Sequence, residues 1–304
     1  MQTQKVIPFM KFRHIALAIS LTLIVISIAS LAIRGLNFGL DFTGGALLEL
    51  HFDQPADLPE IRQGMSDLGY PNSSVVNFGS DRDVQIRFQT DNSEVGQKVG
   101  ESFISKHPGS SIQRISYVGP QVGDELTNNG GLGLLFSLIA VSFYVALRFQ
   151  YKFSIGAVSA LVHDVIITLG VFSLFQLTFD LTALAAVLAV IGYSINDTIV
   201  VYDRVRENFR VVRRSTVTEI VDVSMTQTLE RSIMTSVTVL LVLFALLFVG
   251  GEALRYFSLA LITGVFVGTY SSVYIATSLL LSMGIAREDL LPAAREGEGF
   301  DSHP

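Results

Sequence analysis

The chain has 304 residues, of which 50% are hydrophobic and 16% charged, with 21 basic and 27 acidic side chains and a net charge of −6. Soluble domains hold about 25% charged residues, so this composition places the chain among integral membrane proteins. The absence of cysteine excludes disulfides, thiol catalysis and cysteine-based metal sites.

The five histidines are scattered and lack metal-ligand spacing. Neither a Walker loop nor a dinucleotide glycine fingerprint occurs, so an energy source must be an ion gradient or a partner's nucleotide. Residues 1–14 are mixed in character and carry Lys5, Lys11 and Arg13. Ile15 to Ile33 is apolar or hydroxyl-bearing throughout, a length suited to one crossing of about 20 residues. A cleaved signal would have a shorter apolar core of about 7 to 15 residues, so an uncleaved first span is expected.

From Arg34 to Asn129 the chain turns charged and proline-containing, which predicts a soluble domain looped out between the first two spans. Ala46–Phe52, Ser74–Phe78, Asp83–Phe88 and Ser111–Val118 read as strands. Asp57 and Glu60 have capping-box spacing for a helix to Leu68, and Ser93 to Lys106 suits a second helix that Gly96 and Gly100 weaken. The resulting βαββαβ order is that of a ferredoxin-like α+β domain.

Residues 130–283 then hold five further spans, expected at Leu132–Leu147, Phe153–Leu177, Leu181–Val201, Ser232–Val249 and Phe257–Met283. A polar connector at 203–231 carries Arg204, Arg206, Arg210, Arg213, Arg214 and Arg231, and a mixed-charge tail occupies 284–304. The N-terminus, the basic turn at Arg148 to Lys152 and the arginine-rich connector fall on one side, and the opposite short loops contain only Arg255. By the positive-inside rule both ends are cytoplasmic and the inserted domain lies outside. The expected fold is a polytopic α-helical membrane protein of six transmembrane helices, with an extracytoplasmic α+β domain between helices 1 and 2.

An ionisable side chain within a span costs roughly 2.5 to 3.5 kcal/mol on insertion scales, so Asp197, beside Asn196, needs an explanation. Tyr193 and Ser194 lie one helical turn before it and Val201 one turn after, a face suited to helix contact. Asp197 is either the place where a charge moves or a carboxylate held at the interface. Arg231 opens the fifth expected span, where it obeys the positive-inside rule or serves as counter-charge. A guanidinium holds a neighbouring carboxylate ionised, and withdrawing it lets the acid take a proton.

His163 and Asp164 are adjacent in the third span, so they are expected to point to different sides of the helix. They suit either a proton relay or a satisfied buried pair. Gly264 and Gly268 form a GxxxG, a face for close helix packing. Outside the bilayer, Leu40-Asp41-Phe42-Thr43-Gly44-Gly45 follows the first span, and Tyr117-Val118-Gly119-Pro120-Gln121-Val122-Gly123 precedes the second. Both read as hinges between domain and membrane rather than as ligand loops. No nucleophile, metal cluster or carboxylate pair in the domain points to catalysis, so the chain is expected not to be an enzyme.

These motifs, with Ala160–Ile166, Gly192–Asp197, Val201–Asn208 and Gln227–Ser232, together resemble the SecF family, over nearly the whole chain in order. The resemblance implies half of an assembly like those of the RND superfamily, with SecD supplying the other six spans. It implies SecYEG, YajC and an unfolded preprotein as partners, in the bacterial inner membrane, with lipid around the spans. The implied activity is enhancement of late preprotein translocation by the proton motive force. Asp197 and Arg231 match the family's proton-coupling charges, and His163 and Asp164 lie in a matching motif. A structural scaffold without its own proton path and an exporter of small molecules are the alternatives. No cofactor, metal or nucleic-acid partner is expected.

Overall fold

A computed structural model describes residues 6–212 and 215–286. The start of the N-terminal segment, with Lys5, Arg213 and Arg214 of the expected connector, and the tail from 287 onward lie outside the described residues. Among the described residues six helices are long and apolar enough to cross a membrane, which together make this a multi-pass membrane protein.

The first crossing begins with a 3-10 turn at Phe9–Phe12 and continues as α1, Arg13–Arg34. A two-residue strand β1, Asn37–Phe38, and a single helical turn α2, Leu40–Thr43, lead into the inserted domain. There the strands are β2 (Gly45–His51), β3 (Ser74–Phe78), β4 (Ser80–Phe88) and β5 (Ser111–Val118). They form one antiparallel sheet in the order β3-β4-β2-β5, which puts β2 in its interior. Helices α3 (Leu58–Asp67) and α4 (Glu94–Lys106) follow β2 and β4. Alternation along β2 and β4 sends Ala46, Leu48, Leu50, Val84 and Ile86 to one face, where Ile61, Met65, Val99 and Phe103 of the helices cover them. Asp57 caps α3 by accepting the amide of Glu60, and Pro59 sits harmlessly in the first turn.

The membrane helices are α5 (Pro120–Arg148), α6 (Tyr151–Phe175), α7 (Leu181–Val211) and α8 (Val217–Val249). The last crossing is α9 (Arg255–Ser271), a π-helical turn at Ser272–Ala276 and α10 (Thr277–Ser282). Helices α6 and α7 form the centre of the bundle, with 61% and 50% of their most apolar stretch buried, against 6% for α5. A second short strand, β6 (Thr178–Phe179), joins α6 to α7 and pairs in parallel with β1.

Two expected boundaries move. Residues 120–129, counted with the inserted domain, are the first turns of α5, because Pro120 occupies the helix N-terminus, where its missing N–H costs nothing. The polar connector expected at 203–231 is mostly helix, since α7 runs to Val211 and α8 starts at Val217. Val201, Val205 and Phe209 keep an apolar stripe going beneath the arginines and meet Ile220, Val221 and Met225. Asn208 joins the two helices by donating to Ser224 and Gln227, and a Thr216–Glu219 capping box starts α8. At 31 residues α7 is about 46 Å long, well beyond a hydrocarbon core of about 30 Å, so one end must stand clear of it.

Candidate functional site

The polar residues of the spans converge where α6, α7, α8 and α9 meet. Asp164 on α6 is fully buried. One of its oxygens accepts the hydroxyls of Ser194 (2.5 Å) and Ser271 (2.7 Å), and the other bonds His163 Nδ1 at 2.8 Å. The expectation that His163 and Asp164 diverge is therefore corrected. Their side chains leave the helix about 100° apart, and Nδ1 lies on the inner edge of the imidazole, so the ring can turn back onto its neighbour. Asp164 is thus satisfied on both oxygens, which offsets the cost of burying it. The Nε2 atom of His163 is buried without a partner among the described residues.

Asp197, one turn further along α7, is held quite differently. Its Oδ1 accepts the hydroxyl of Ser232 on α8 at 2.5 Å, while its buried Oδ2 has no partner among the described residues. Arg231 precedes that serine, but no ion pair joins it to the carboxylate among the described residues, and it is exposed. Asn196 is also exposed and points away from the cluster.

Polar positions of α7 reach α6, α8 and the last crossing in turn. Tyr193 bonds Ser236 on α8, which bonds Thr269 on α9. Ser194 reaches α6, Asp197 reaches α8, and Thr198 bonds Ser272 at 2.8 Å in the π turn. Close helix contact makes these bonds possible. A Cβ on Gly264 would lie 2.0 Å from Val190 Cγ2, and one on Gly268 3.5 Å from Asp164 Oδ2. The hydroxyl set of Ser194, Thr198, Ser232, Ser236, Thr269, Ser271 and Ser272 was not singled out from sequence as a functional group. Its signal is serine and threonine at helical spacing on the faces that also carry Asp164 and Asp197. The hydroxyls form separate short bonds between neighbouring helices, and Asp197 keeps one carboxylate oxygen open beside them.

The two glycine-bearing motifs outside the bundle meet each other. Gly44 and Gly45 adopt φ values of +66° and +107°, open to glycine at no steric cost, and make the corner from α2 into β2. A Cβ on Gly123 of α5 would lie 2.9 Å from the Gly44 amide nitrogen. Gly119 is extended and hands β5 directly to Pro120. Asp41, in the same corner, accepts the backbone amide of Leu181 at 3.0 Å.

Fold and site together define a six-span membrane protein with a small α+β domain between its first two spans and carboxylates buried in its bundle. The chain matches the protein export membrane protein SecD/SecF C-terminal family over residues 98–286 and the SecD/SecF GG motif over residues 29–56. It is 51% identical to the protein translocase subunit SecF of Pseudomonas aeruginosa, over 94% of each chain. With the SecF subunit of Vibrio alginolyticus it shares 47% identity, over 100% of this chain and 99% of that one. The crystal structure of SecDF from Thermus thermophilus, a translocon-associated membrane protein, superposes with a TM-score of 0.86 at 34% identity. The match covers 93% of this chain and 39% of that one. A second SecDF structure, in a super-membrane-facing form, gives a TM-score of 0.70. The chain belongs to the SecD/SecF family of protein-export membrane proteins, as a SecF-type translocase subunit.

Proposed function

We propose that the chain is the SecF half of a SecD–SecF complex that uses the proton motive force to assist preproteins through SecYEG, with YajC as a further partner. Asp197 is the proton-coupling residue in this reading. The observation that carries it is the asymmetry between Asp164 and Asp197, since the third buried aspartate among the described residues, Asp222, accepts the backbone amide of Met10. Asp164 is bonded on both oxygens, which suits a fixed structural pair with His163, whereas Asp197 keeps one oxygen open. Arg231 and Asn196 face outward from this chain, where a second chain would meet them. Since the chain spans 39% of the SecDF polypeptide it matches, SecD is the natural source of that second half. Arg231 then acts by approach and withdrawal rather than as a permanent ion pair.

In the same reading the protein is no enzyme, lies in the inner membrane with both ends cytoplasmic, and displays the sheet and helices between Gly45 and Val118 as a ferredoxin-like domain outside. The positive-inside count and the strand order β3-β4-β2-β5 support this placement. Asp197→Asn tests the reading, because the side chain keeps its shape and loses its titration. The variant should assemble normally with SecD and give no export stimulation in membrane vesicles. Normal stimulation would refute a proton role for Asp197, and loss of assembly would favour a scaffold.

A further inference from the structure

The corner that carries the two glycines also grips the outer end of the helix bearing Asp197. β1 pairs with β6, and the Gly39 amide donates to the Phe179 carbonyl at 2.8 Å. A Cβ on Gly39 would lie 2.9 Å from Asp180 Cβ, so the contact requires glycine there. The Asp41 carboxylate then accepts the amide of Leu181, the first residue of α7. Asp180 satisfies a different donor of the same helix end, the amide of Ala183 at 2.8 Å. Each carboxylate thus serves its own orphan amide, and only the one from Asp41 comes from another part of the chain. Stacking of Phe42 on Phe179, with ring centres 6.0 Å apart, closes the seam from within. On the domain side, Arg87 of β4 donates to the Phe38 carbonyl at 3.0 Å.

We infer that Asp41 is a positioning residue, latching the outer end of α7 to the corner from which the central strand β2 begins, so that movement of the inserted domain and of Asp197 are one event. The inference rests on the proton-coupled reading above. Two short paths support it. Three residues separate Asp41 from the first residue of β2, a strand paired on both sides. From Leu181 an unbroken helix runs to Asp197, about 24 Å away by helical rise. A hinge would absorb motion at this corner, but a seam fastened by backbone pairing, a carboxylate cap and stacked rings passes it on.

The experiment uses the full complex with SecD in proteoliposomes, reading proton flux and export stimulation separately. Asp41→Ala removes the acceptor. Leu181→Pro removes the donor while leaving Asp41 in place, and proline is favoured at the first helical position. The preceding Asp180 is already extended, with φ −102° and ψ −177°, as a residue before proline requires. Both variants should retain proton flux and lose export stimulation about tenfold, the effect of one hydrogen bond to a charged group. Combining them should be no worse than either alone, because they delete the same bond. Asp41→Asn, which keeps an accepting oxygen, should retain export. Hydrogen exchange at the Leu181 amide should quicken in Asp41→Ala.

Unchanged export in both single variants would overturn the latch, as would loss of proton flux together with export, or additive losses in the double variant. Should the unmodified complex show no proton flux, the proton reading fails, and exchange at Leu181 still decides whether the latch exists. Unchanged exchange in Asp41→Ala would then overturn it.

Discussion

Two aspartates in the bundle differ by what surrounds them rather than by how deep they lie. Asp164 receives two serine hydroxyls and a histidine, and Asp197 receives one serine. Outside the bundle, Asp83 is a carboxylate whose partners shift its titration. Asp83 accepts the hydroxyl of Ser80 and bonds His51 Nδ1 at 2.6 Å, and these partners hold its carboxyl below the usual carboxylate range. A carboxylate depressed on folding contributes stability above its unfolded value, near 4, and loses it as pH falls through the native value. The inserted domain in the full chain should therefore become easier to denature as pH drops below about 4. Asp83→Asn should flatten that slope, which denaturant titration monitored by hydrogen exchange would read.

At the scale of elements, the contact between α7 and α9 depends on what Gly264 lacks. Gly264→Ala places a methyl against Val190 and should destabilise the bundle by about 1 to 3 kcal/mol, the usual cost of overpacking. Val190→Ala in the same chain should restore most of the loss, as thermal unfolding of the purified complex would measure. The elements of the inserted domain are legible in sequence because period-two alternation and the Asp57 cap act locally. Gly96 and Gly100 argue against α4 by propensity, yet they are where it touches the sheet. A Cβ on Gly100 would lie 2.7 Å from Ile112 Cδ1, so tertiary packing overrides the local preference. The extension of α7 and α8 into the 203–231 stretch was hidden for a related reason. Charge dominates the 203–231 stretch, and the stripe of Val205, Phe209 and Ile220 is thin beside it. The residues of the candidate site were only half legible. A costly carboxylate announces itself, whereas Ser194 and Ser271 matter only because three helices bring them to one oxygen.

Taken whole, the molecule is lopsided. Its polar interior lies among α6 to α9, while α5 and much of α8 present apolar side chains such as Leu135, Phe136, Phe143, Leu241 and Val242 outward. Lipid solvates such faces without penalty, and a helix of a second chain would pack on them. The π-helical turn in the last crossing adds a consequence at this scale. Its wider loop houses a surplus residue, so the strip from Ser272 to Ala276 holds more chain than an α turn of the same height. Expelling that surplus would rotate α10 by about 100° against α9, given 3.6 residues per turn. Tyr202, whose hydroxyl donates to the Ala276 carbonyl at 2.9 Å, is placed to resist it. Deleting Val273 should close the turn into plain α-helix, break the Tyr202 bond and change which residues between 277 and 282 react with a membrane-side label. The last crossing is in this sense a wound screw with one thread to spare, lodged just before α10.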